Sequence, residues 1–191
     1  MQQTEIFPQN IFQKSNLGFS NNKLKDFKTS IEFIKKGDVK GRILSNGEFG
    51  WQSENLPQSG FFELLTKKII KAGFDFCSNL KNFKFTKIEM ANLWANINYP
   101  GDINWPHIHE GDISGAYYVE VPKNSGNLIL KSLSHNLNNK ISNYLSRKNH
   151  TVIEPKNDML VLFDANCWHA VSRNNSKKPR MSVSFNLKIY D

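Results

Sequence analysis

The sequence predicts an all-β fold with flanking helices, specifically a double-stranded β-helix or jelly roll whose core spans residues 83–191. Over this part of the chain apolar and polar residues alternate with a period of two, as in strands with one buried face. The predicted strands are FKFTKIEMANLWANINY (83–99), SGAYYVEVP (114–122), GNLILKS (126–132), DMLVLFDA (158–165), HAVSR (169–173) and RMSVSFNLKIY (180–190). Turn-forming stretches such as PGD, PKNSG, EPKND and RNNSKKP separate them. Many short strands at this spacing are typical of a sandwich or barrel.

The remaining segments are predicted to support this core within a single domain over residues 1–191. Residues 1–60, rich in Asn, Gln, Ser and Gly, form an N-terminal extension. The stretch FFELLTKKIIKAGFDFCSNL, residues 61–80, places apolar residues at helical spacing and predicts a helix that braces the sheet. Ser59 is the expected cap of this helix. LSHNLNNKISNYLSRKNH, residues 133–150, interrupts the strands, and we expect it to lie over the barrel mouth.

Composition narrows the classes of partner. The net charge of +8 would suit a polyanion, but the lysines are scattered and the densest basic group, Lys177, Lys178 and Arg180, is short. Nucleic-acid binding is therefore not favoured. No apolar run approaches the roughly 20 residues that span a bilayer, so no membrane association is expected. Cys77 and Cys167 match no CxxC pattern, which predicts reduced thiols and a cytoplasmic protein. A homodimer is compatible with the sequence.

Three histidines form a candidate metal site. His107 and His109 stand in WPHIH, and residues two apart on a strand point to the same face. His169 opens a predicted strand about 60 residues later. Two histidines on one jelly-roll strand and a third on another can build a metal face with open positions.

An arginine that could bind an anionic ligand follows the third histidine in the sequence. Arg180 lies eleven residues after His169 and begins the final predicted strand, with Ser182 on the same strand face. The planar guanidinium suits bidentate capture of a carboxylate, to which the serine hydroxyl could add a donor. Asn96 and Asn98 share a face with Trp94 on the strand before WPHIH, and either could bind a small ligand or orient a metal ligand. Asn96 is the one assigned to ligand binding.

This assembly resembles the iron(II)- and 2-oxoglutarate-dependent oxygenases. More narrowly, it is similar to a family of them from marine bacteria and phages. The resembling stretches are GWQS, WANINYPGDINWPHIH, SGAYYV and WHAVSRNNSKKPRMSVSFN, within residues 45–188. The resemblance implies an enzyme that uses Fe(II), 2-oxoglutarate and O2 to hydroxylate an unidentified substrate. Arg180 and Ser182 would then bind the distal carboxylate of 2-oxoglutarate. Tyr117 and Tyr118 point to opposite faces of their strand, and one of them is expected to reach the cavity, where its hydroxyl would contact the same carboxylate. Tyr117 is the one assigned to this role.

One departure from the superfamily pattern leaves the third ligand open. The usual motif has a carboxylate two residues after the first histidine, where this chain has His109. His109 could be the ligand, as the strand period favours. Alternatively, Glu110 or Asp112 could swing in from the loop, or only His107 and His169 could bind.

A rival function is a cupin-like protein with a three-histidine metal. Such a protein would be a small-molecule binder, an isomerase or a dioxygenase that needs no cosubstrate. Arg180 separates the two hypotheses, because only the oxygenase requires it to face the metal cavity.

Overall fold

The computed structural model describes residues 2–6, 9–14, 16–47, 49–131 and 150–191. It contains two α-helices, α1 (Asn21–Gly37) and α2 (Glu63–Ser78), and a short 3-10 helix at Gly60–Phe62. The strands, in chain order, are β1 (Gln2–Ile6), β2 (Gln9–Lys14), β3 (Trp51–Gln52), β4 (Lys87–Asn98), β5 (Asn104–His107), β6 (Ile113–Glu120), β7 (Leu128–Lys131), β8 (His150–Ile153), β9 (Leu160–Asp164), β10 (Trp168–Val171) and β11 (Arg180–Tyr190).

The strands form two antiparallel sheets, in agreement with the predicted jelly roll. The larger sheet has seven strands in the order β1-β2-β9-β6-β11-β4-β3, and the smaller has four in the order β5-β10-β7-β8. Each predicted strand of the core is found. Strand β3 is at an edge of the larger sheet, and strand β5 is at an edge of the smaller sheet. The long strand β4 lies between them in sequence.

Two apolar cores hold the layers together. One lies between the larger sheet and the helices, and it includes Phe27 and Ile31 of α1 and Leu65 and Ile69 of α2. The other lies between the two sheets. Both faces of the central strands are therefore buried, one under the helices and one under the smaller sheet.

The bracing helix predicted over residues 61–80 is α2, but its predicted cap is wrong. Ser59 makes no side-chain capping hydrogen bond, and the 3-10 turn separates it from α2, whose N-cap is Phe62. The other helix, α1, was not predicted. Its N-cap Ser20 accepts a hydrogen bond from the Lys23 backbone N–H.

The N-terminal extension is more integrated than the composition suggested, because β2 pairs with β9 and α1 covers β6. The segment predicted to cover the barrel mouth lies outside the described residues, apart from His150, which begins β8 and is exposed. Within the described ranges, no helix is long and apolar enough to cross a membrane. Cys77 and Cys167 are both free and buried.

Candidate metal centre

Two neighbouring strands of the smaller sheet hold the first and last histidines. His107 ends β5 and His169 lies in β10, and the two residues are direct partners in the antiparallel register. Their imidazole centroids lie 4.1 Å apart. Residues paired in this way have side chains on the same face of the sheet, so the register itself brings the two rings together.

His109 reaches the same point from a loop, not from the strand. Since β5 ends at His107, the period of two that predicted convergence does not apply to it. Instead, the His109 backbone N–H donates to the Ala165 carbonyl at 3.0 Å, which ties the loop to the turn before β10. The His109 ring packs 5.4 Å from the Trp94 ring. Its Nε2 lies 3.2 Å from Nε2 of His169.

The three rings meet with their free nitrogens directed at one another. The available ligand atoms of His107, His109 and His169 all lie within 4.8 Å of one another. His107 and His169 each place Nδ1 against a carbonyl, that of Trp105 at 2.6 Å and that of Cys167 at 2.9 Å. With Nδ1–H donating to these carbonyls, the Nε2 lone pairs of these two rings are free for a metal.

Burial keeps these imidazoles neutral. Burial, with a smaller contribution from the neighbouring His107, lowers the pKa of His109 to about 4 and that of His169 to about 3. Burial also lowers the pKa of His107. Neutral imidazole is the form that binds metals. Two unprotonated Nε2 atoms 3.2 Å apart repel each other unless a cation or a proton lies between them, so this donor set fits a divalent metal.

The two carboxylates considered as alternative ligands are engaged elsewhere or exposed. Asp112 accepts a hydrogen bond from the Ile189 backbone N–H at 2.8 Å and forms an ion pair with Lys188 at 3.2 Å. Glu110 is exposed and belongs to no cluster of converging ligand atoms within the described part of the chain.

Arg180 lies in the same cavity as the histidines. It is only 2% exposed, and it lines the space between the sheets together with Ser182 and Asn96. Its Nη2 donates to Asn98 Oδ1 at 2.6 Å, and its Nη1 donates to the Ser125 carbonyl at 3.1 Å. Its Nε has no hydrogen-bond partner among the described residues.

This guanidinium is a buried cation without a direct counter-ion. Burial lowers the pKa of Arg180 from its ordinary value, and the nearby Tyr118 and Asp102 oppose that effect. No described carboxylate lies within ion-pair distance of it. A buried charge is costly unless it is paired. The unpartnered Nε and the absent counter-ion both fit an anionic ligand in the cavity.

Ser182 and Asn96 are neighbours across β11 and β4, where the register pairs them directly. Both are buried and line the cavity. The Asn96 amide donates to the Ser184 hydroxyl at 2.9 Å and not to the hydroxyl of Ser182. The structure therefore brings four predicted groups together: the histidines, Arg180, Ser182 and Asn96.

Tyr117 does not join them, and its assignment to the cavity is corrected. Its side chain lies on the helix side of the larger sheet, where its ring packs against Phe19 and Phe27 and its hydroxyl donates to Asp158 at 2.7 Å. The register explains the error, since Tyr117 pairs with Val183, which belongs to the apolar core under the helices. Tyr118 pairs with Ser182 and lines the cavity instead.

Gln52 is a cavity residue that the sequence reasoning did not single out. It pairs with Asn96 at the edge of the larger sheet and is 5% exposed. Its Oε1 is buried without a partner among the described residues. The sequence did not indicate a role for Gln52, because a single glutamine after a tryptophan in GWQS matches no spaced motif.

A groove of about 800 Å³ leads from the surface to the histidines. Its exposed apolar residues are Ile43, Leu44, Trp105 and Ile108. Gln52 lies at the junction, since it lines both the groove and the inner cavity. The charged residues that line the groove, within the described part of the chain, are one arginine, Arg42, and one glutamate, Glu110.

Comparison with known proteins points to one family. Residues 92–186, about half of the chain, match the family model described as "Putative 2OG-Fe(II) oxygenase". The match begins in β4 and ends in β11, so it includes the three histidines, Arg180 and Ser182. No curated protein sequence matches the chain.

Solved structures share the fold over nearly the whole chain. A prolyl-4-hydroxylase from Pseudomonas putida is 12% identical with a TM-score of 0.63, covering 92% of this chain and 91% of its own. A viral collagen prolyl hydroxylase from Paramecium bursaria Chlorella virus-1, solved with 2-oxoglutarate, is 15% identical with a TM-score of 0.62, covering 95% and 96%. HygX from Streptomyces hygroscopicus, solved with nickel, 2-oxoglutarate and hygromycin B, is 9% identical with a TM-score of 0.66, covering 93% and 82%. At these identities the similarity concerns the fold.

Proposed function

We propose that this chain, which belongs to the 2-oxoglutarate/iron(II) oxygenases, binds its iron(II) through His107, His109 and His169 and its 2-oxoglutarate through Arg180. The enzyme is thus a dioxygenase, and we propose that it hydroxylates its substrate. The observation that carries the residue assignment is that one buried cavity contains both three converging neutral imidazoles and a buried guanidinium without a counter-ion.

The bound iron and 2-oxoglutarate supply the activation of O2 that oxidises the substrate, with succinate and CO2 as products. The chain's own residues bind and orient. The Arg180 fork would hold the distal carboxylate of 2-oxoglutarate by charge-assisted hydrogen bonds, assisted by the Ser182 hydroxyl. Asn96 lies beside Ser182 and would contact the same ligand. Tyr118, which replaces Tyr117 in this role, lines the same part of the cavity.

The environment of these groups strengthens their interactions. Arg180, Ser182, Asn96 and His169 are all buried between the two sheets. Electrostatic interactions are stronger where water is excluded. The carbonyls of Trp105 and Cys167 would orient His107 and His169 as iron ligands, which commonly raises the basicity of the ligand.

The substrate would reach the iron through the groove beside His107 and His109. Exposed apolar side chains and the amide of Gln52 suit an uncharged substrate with a hydrogen-bond donor. Among the similar structures, a Trichoplax adhaerens prolyl hydroxylase is bound to a peptide and HygX to hygromycin B. From the composition of the groove, we propose that the substrate here is a peptide segment or an uncharged small molecule.

The basic net charge does not bear on this groove. Among the described residues that line it, the single arginine, Arg42, lies 3.6 Å from Glu54, and there is no lysine. A groove of this composition does not favour a phosphate backbone, which requires several unpaired cations. A homodimer and a cytoplasmic location stay predictions; the two free, buried cysteines are compatible with the latter.

The cupin-like alternative rests on the three-histidine set, since the superfamily's usual ligand set includes a carboxylate. The presence of Arg180 in the same cavity supports the oxygenase. A binder that needs no dicarboxylate cosubstrate has no use for a buried, unpaired guanidinium.

Anaerobic titration of the protein with Fe(II), and then with 2-oxoglutarate, tests the proposal. We expect one equivalent of iron to bind, followed by an optical charge-transfer band when 2-oxoglutarate is added. His107→Ala and His169→Ala should each lower iron affinity at least tenfold. Unchanged iron stoichiometry and affinity in both variants would refute the ligand assignment. Iron binding without any spectral response to 2-oxoglutarate would favour the cupin-like alternative.

A further inference from the structure

We infer that Asn98 is a positioning residue that separates the buried carboxylate of Asp102 from the buried guanidinium of Arg180, which keeps Arg180 available for the distal carboxylate of the cosubstrate. This inference rests on the proposed function, because it assumes that Arg180 binds 2-oxoglutarate. It assigns a role to two residues outside the metal and cosubstrate contacts proposed above.

The amide of Asn98 has a single orientation imposed by its neighbours. Its Nδ2 donates to Asp102 Oδ2 at 2.7 Å and to Asn104 Oδ1 at 2.8 Å. Both amide hydrogens are therefore engaged. Its Oδ1 must then face the other way, where it accepts from Arg180 Nη2 at 2.6 Å. A flipped amide would point two hydrogens at a guanidinium, which has donors only.

Asp102 is held firmly in this arrangement. It is 2% exposed, its backbone N–H donates to the Tyr99 carbonyl at 3.0 Å, and its own carbonyl accepts from Asn174 N–H at 2.9 Å. The backbone at Gly47 and Gly50 lies against its carboxylate so closely that a Cβ at either position would collide with it. The side chain cannot readily move toward Arg180.

A buried carboxylate and a buried guanidinium that share a hydrogen-bonding neighbour could instead form a direct bidentate pair. The described ion pairs include no such pair, and hydrogen bonds connect the two groups through one neutral amide. Asp102 still offsets part of the cost of burying the positive charge, because Coulomb attraction extends beyond contact distance. Arg180 Nε has no partner among the described residues. The arrangement stabilises the cation and leaves this N–H for a ligand.

Exchanging the two side chains gives a matched test. The double variant Asn98→Asp, Asp102→Asn keeps the same charge and moves the carboxylate into contact with Arg180. The amide at position 102 can then donate to the carboxylate at position 98, whereas the hydrogen bond to Asn104 Oδ1 is lost. The single variant Asp102→Asn keeps the hydrogen bonds and removes the charge. The readout is the ratio of two dissociation constants in the Mn(II)-loaded protein without oxygen, one for 2-oxoglutarate and one for 2-oxovalerate, which lacks the distal carboxylate.

This ratio reports on Arg180 and is insensitive to changes in metal binding, which both ligands share. We expect the preference of the exchange variant for 2-oxoglutarate over 2-oxovalerate to be at least tenfold lower than that of the unmutated protein. Asp102→Asn should show an equal or greater preference than the unmutated protein, because it only removes a negative charge near the carboxylate. A purely structural role would make the two variants behave alike.

The outcomes separate this inference from the proposed function. If Arg180→Met abolishes the preference while the exchange variant retains it in full, the spacer role is wrong and the cosubstrate assignment stands. If Arg180→Met retains the preference, the cosubstrate assignment itself fails. If thermal denaturation shows that the exchange variant does not fold, the test depends on Asp102→Asn alone. A lower preference of this variant for 2-oxoglutarate over 2-oxovalerate would then overturn the inference.

Discussion

The two faces of strand β11 are both buried, yet they have opposite chemistry. Met181, Val183, Phe185 and Leu187 face the helices and belong to an apolar core. Arg180, Ser182 and Ser184 line the cavity between the sheets. The neighbouring strand β4 repeats the pattern, with Leu93, Ala95 and Ile97 on the helix side and Trp94, Asn96 and Asn98 on the cavity side.

This difference shows that a polar strand face need not be a solvent face. Alternation in an antiparallel strand is usually interpreted as apolar inside and polar in water. Here the polar face is under the smaller sheet, and two of its buried atoms, Gln52 Oε1 and Arg180 Nε, have no partner among the described residues. Such groups are costly to bury. Both line the cavity, where a bound ligand would supply the missing partners.

The largest expected effect is on the helix side. Phe185→Ala should destabilise the fold by about 3–5 kcal/mol, because the side chain is fully buried and its ring packs where Gly115 leaves room for it. Urea denaturation of the metal-free protein measures this. Ser184→Ala, the adjacent residue on the cavity side, is the control and should cost less than about 1 kcal/mol. Similar losses in both variants would contradict the division between the faces.

Arg180→Met tests the cavity side. It should weaken 2-oxoglutarate binding by about tenfold to a hundredfold, which corresponds to a loss of about 1.4–2.8 kcal/mol of binding free energy. Iron affinity should barely change, because Arg180 is not a proposed ligand. Calorimetric titration of 2-oxoglutarate into the Mn(II)-loaded variant gives the answer. An affinity equal to that of the unmutated protein would show that the buried guanidinium has another role.

His109 is the cavity residue whose role departs most from the superfamily pattern. His109→Ala should lower iron affinity about tenfold or more, whereas Glu110→Gln and Asp112→Asn should leave it unchanged, since Asp112 already interacts with Lys188. In a metal-bound crystal structure, a His109 nitrogen should lie about 2.0–2.2 Å from the metal, by analogy with zinc–histidine bonds. A carboxylate oxygen in that position, with His109 turned away, would show that His109 is not the third ligand.

Sequence reasoning located the strands of the core but not their packing. Period-two alternation is a local property, so the long strands β4 and β11 and the helix α2 were predicted from their own residues. The helix α1 was missed because its mean composition is polar and only Leu24, Phe27 and Ile31 are buried. The candidate site residues were predicted from spacing and resemblance. The local cause of convergence at His109, a hydrogen bond to Ala165, is a tertiary contact with no sequence signal.

The choice between the adjacent residues Tyr117 and Tyr118 also depends on tertiary contacts that the sequence does not show. Neighbouring residues on a strand face opposite sides, so a shift of one residue in the assignment exchanges cavity and core. The side is decided by pairing with β11, where Tyr117 is opposite Val183 and Tyr118 is opposite Ser182. That register depends on residues more than 60 positions away and cannot be obtained from SGAYYV alone.

The pair provides the smallest predicted effect and the sharpest contrast between the two faces. Tyr117→Phe removes the hydrogen bond to Asp158 and should cost about 1 kcal/mol of folding stability. The loss is limited because Asp158 still accepts from the Gly18 and Phe19 backbone N–H groups. Binding of 2-oxoglutarate should be unaltered. Tyr118→Phe should do the reverse: it should weaken 2-oxoglutarate binding severalfold and change stability little, because its hydroxyl faces the cavity. Chemical denaturation and cosubstrate titration of both variants measure the two effects. Weaker 2-oxoglutarate binding in Tyr117→Phe, with Tyr118→Phe unaffected, would reverse the assignment of the two faces of this strand.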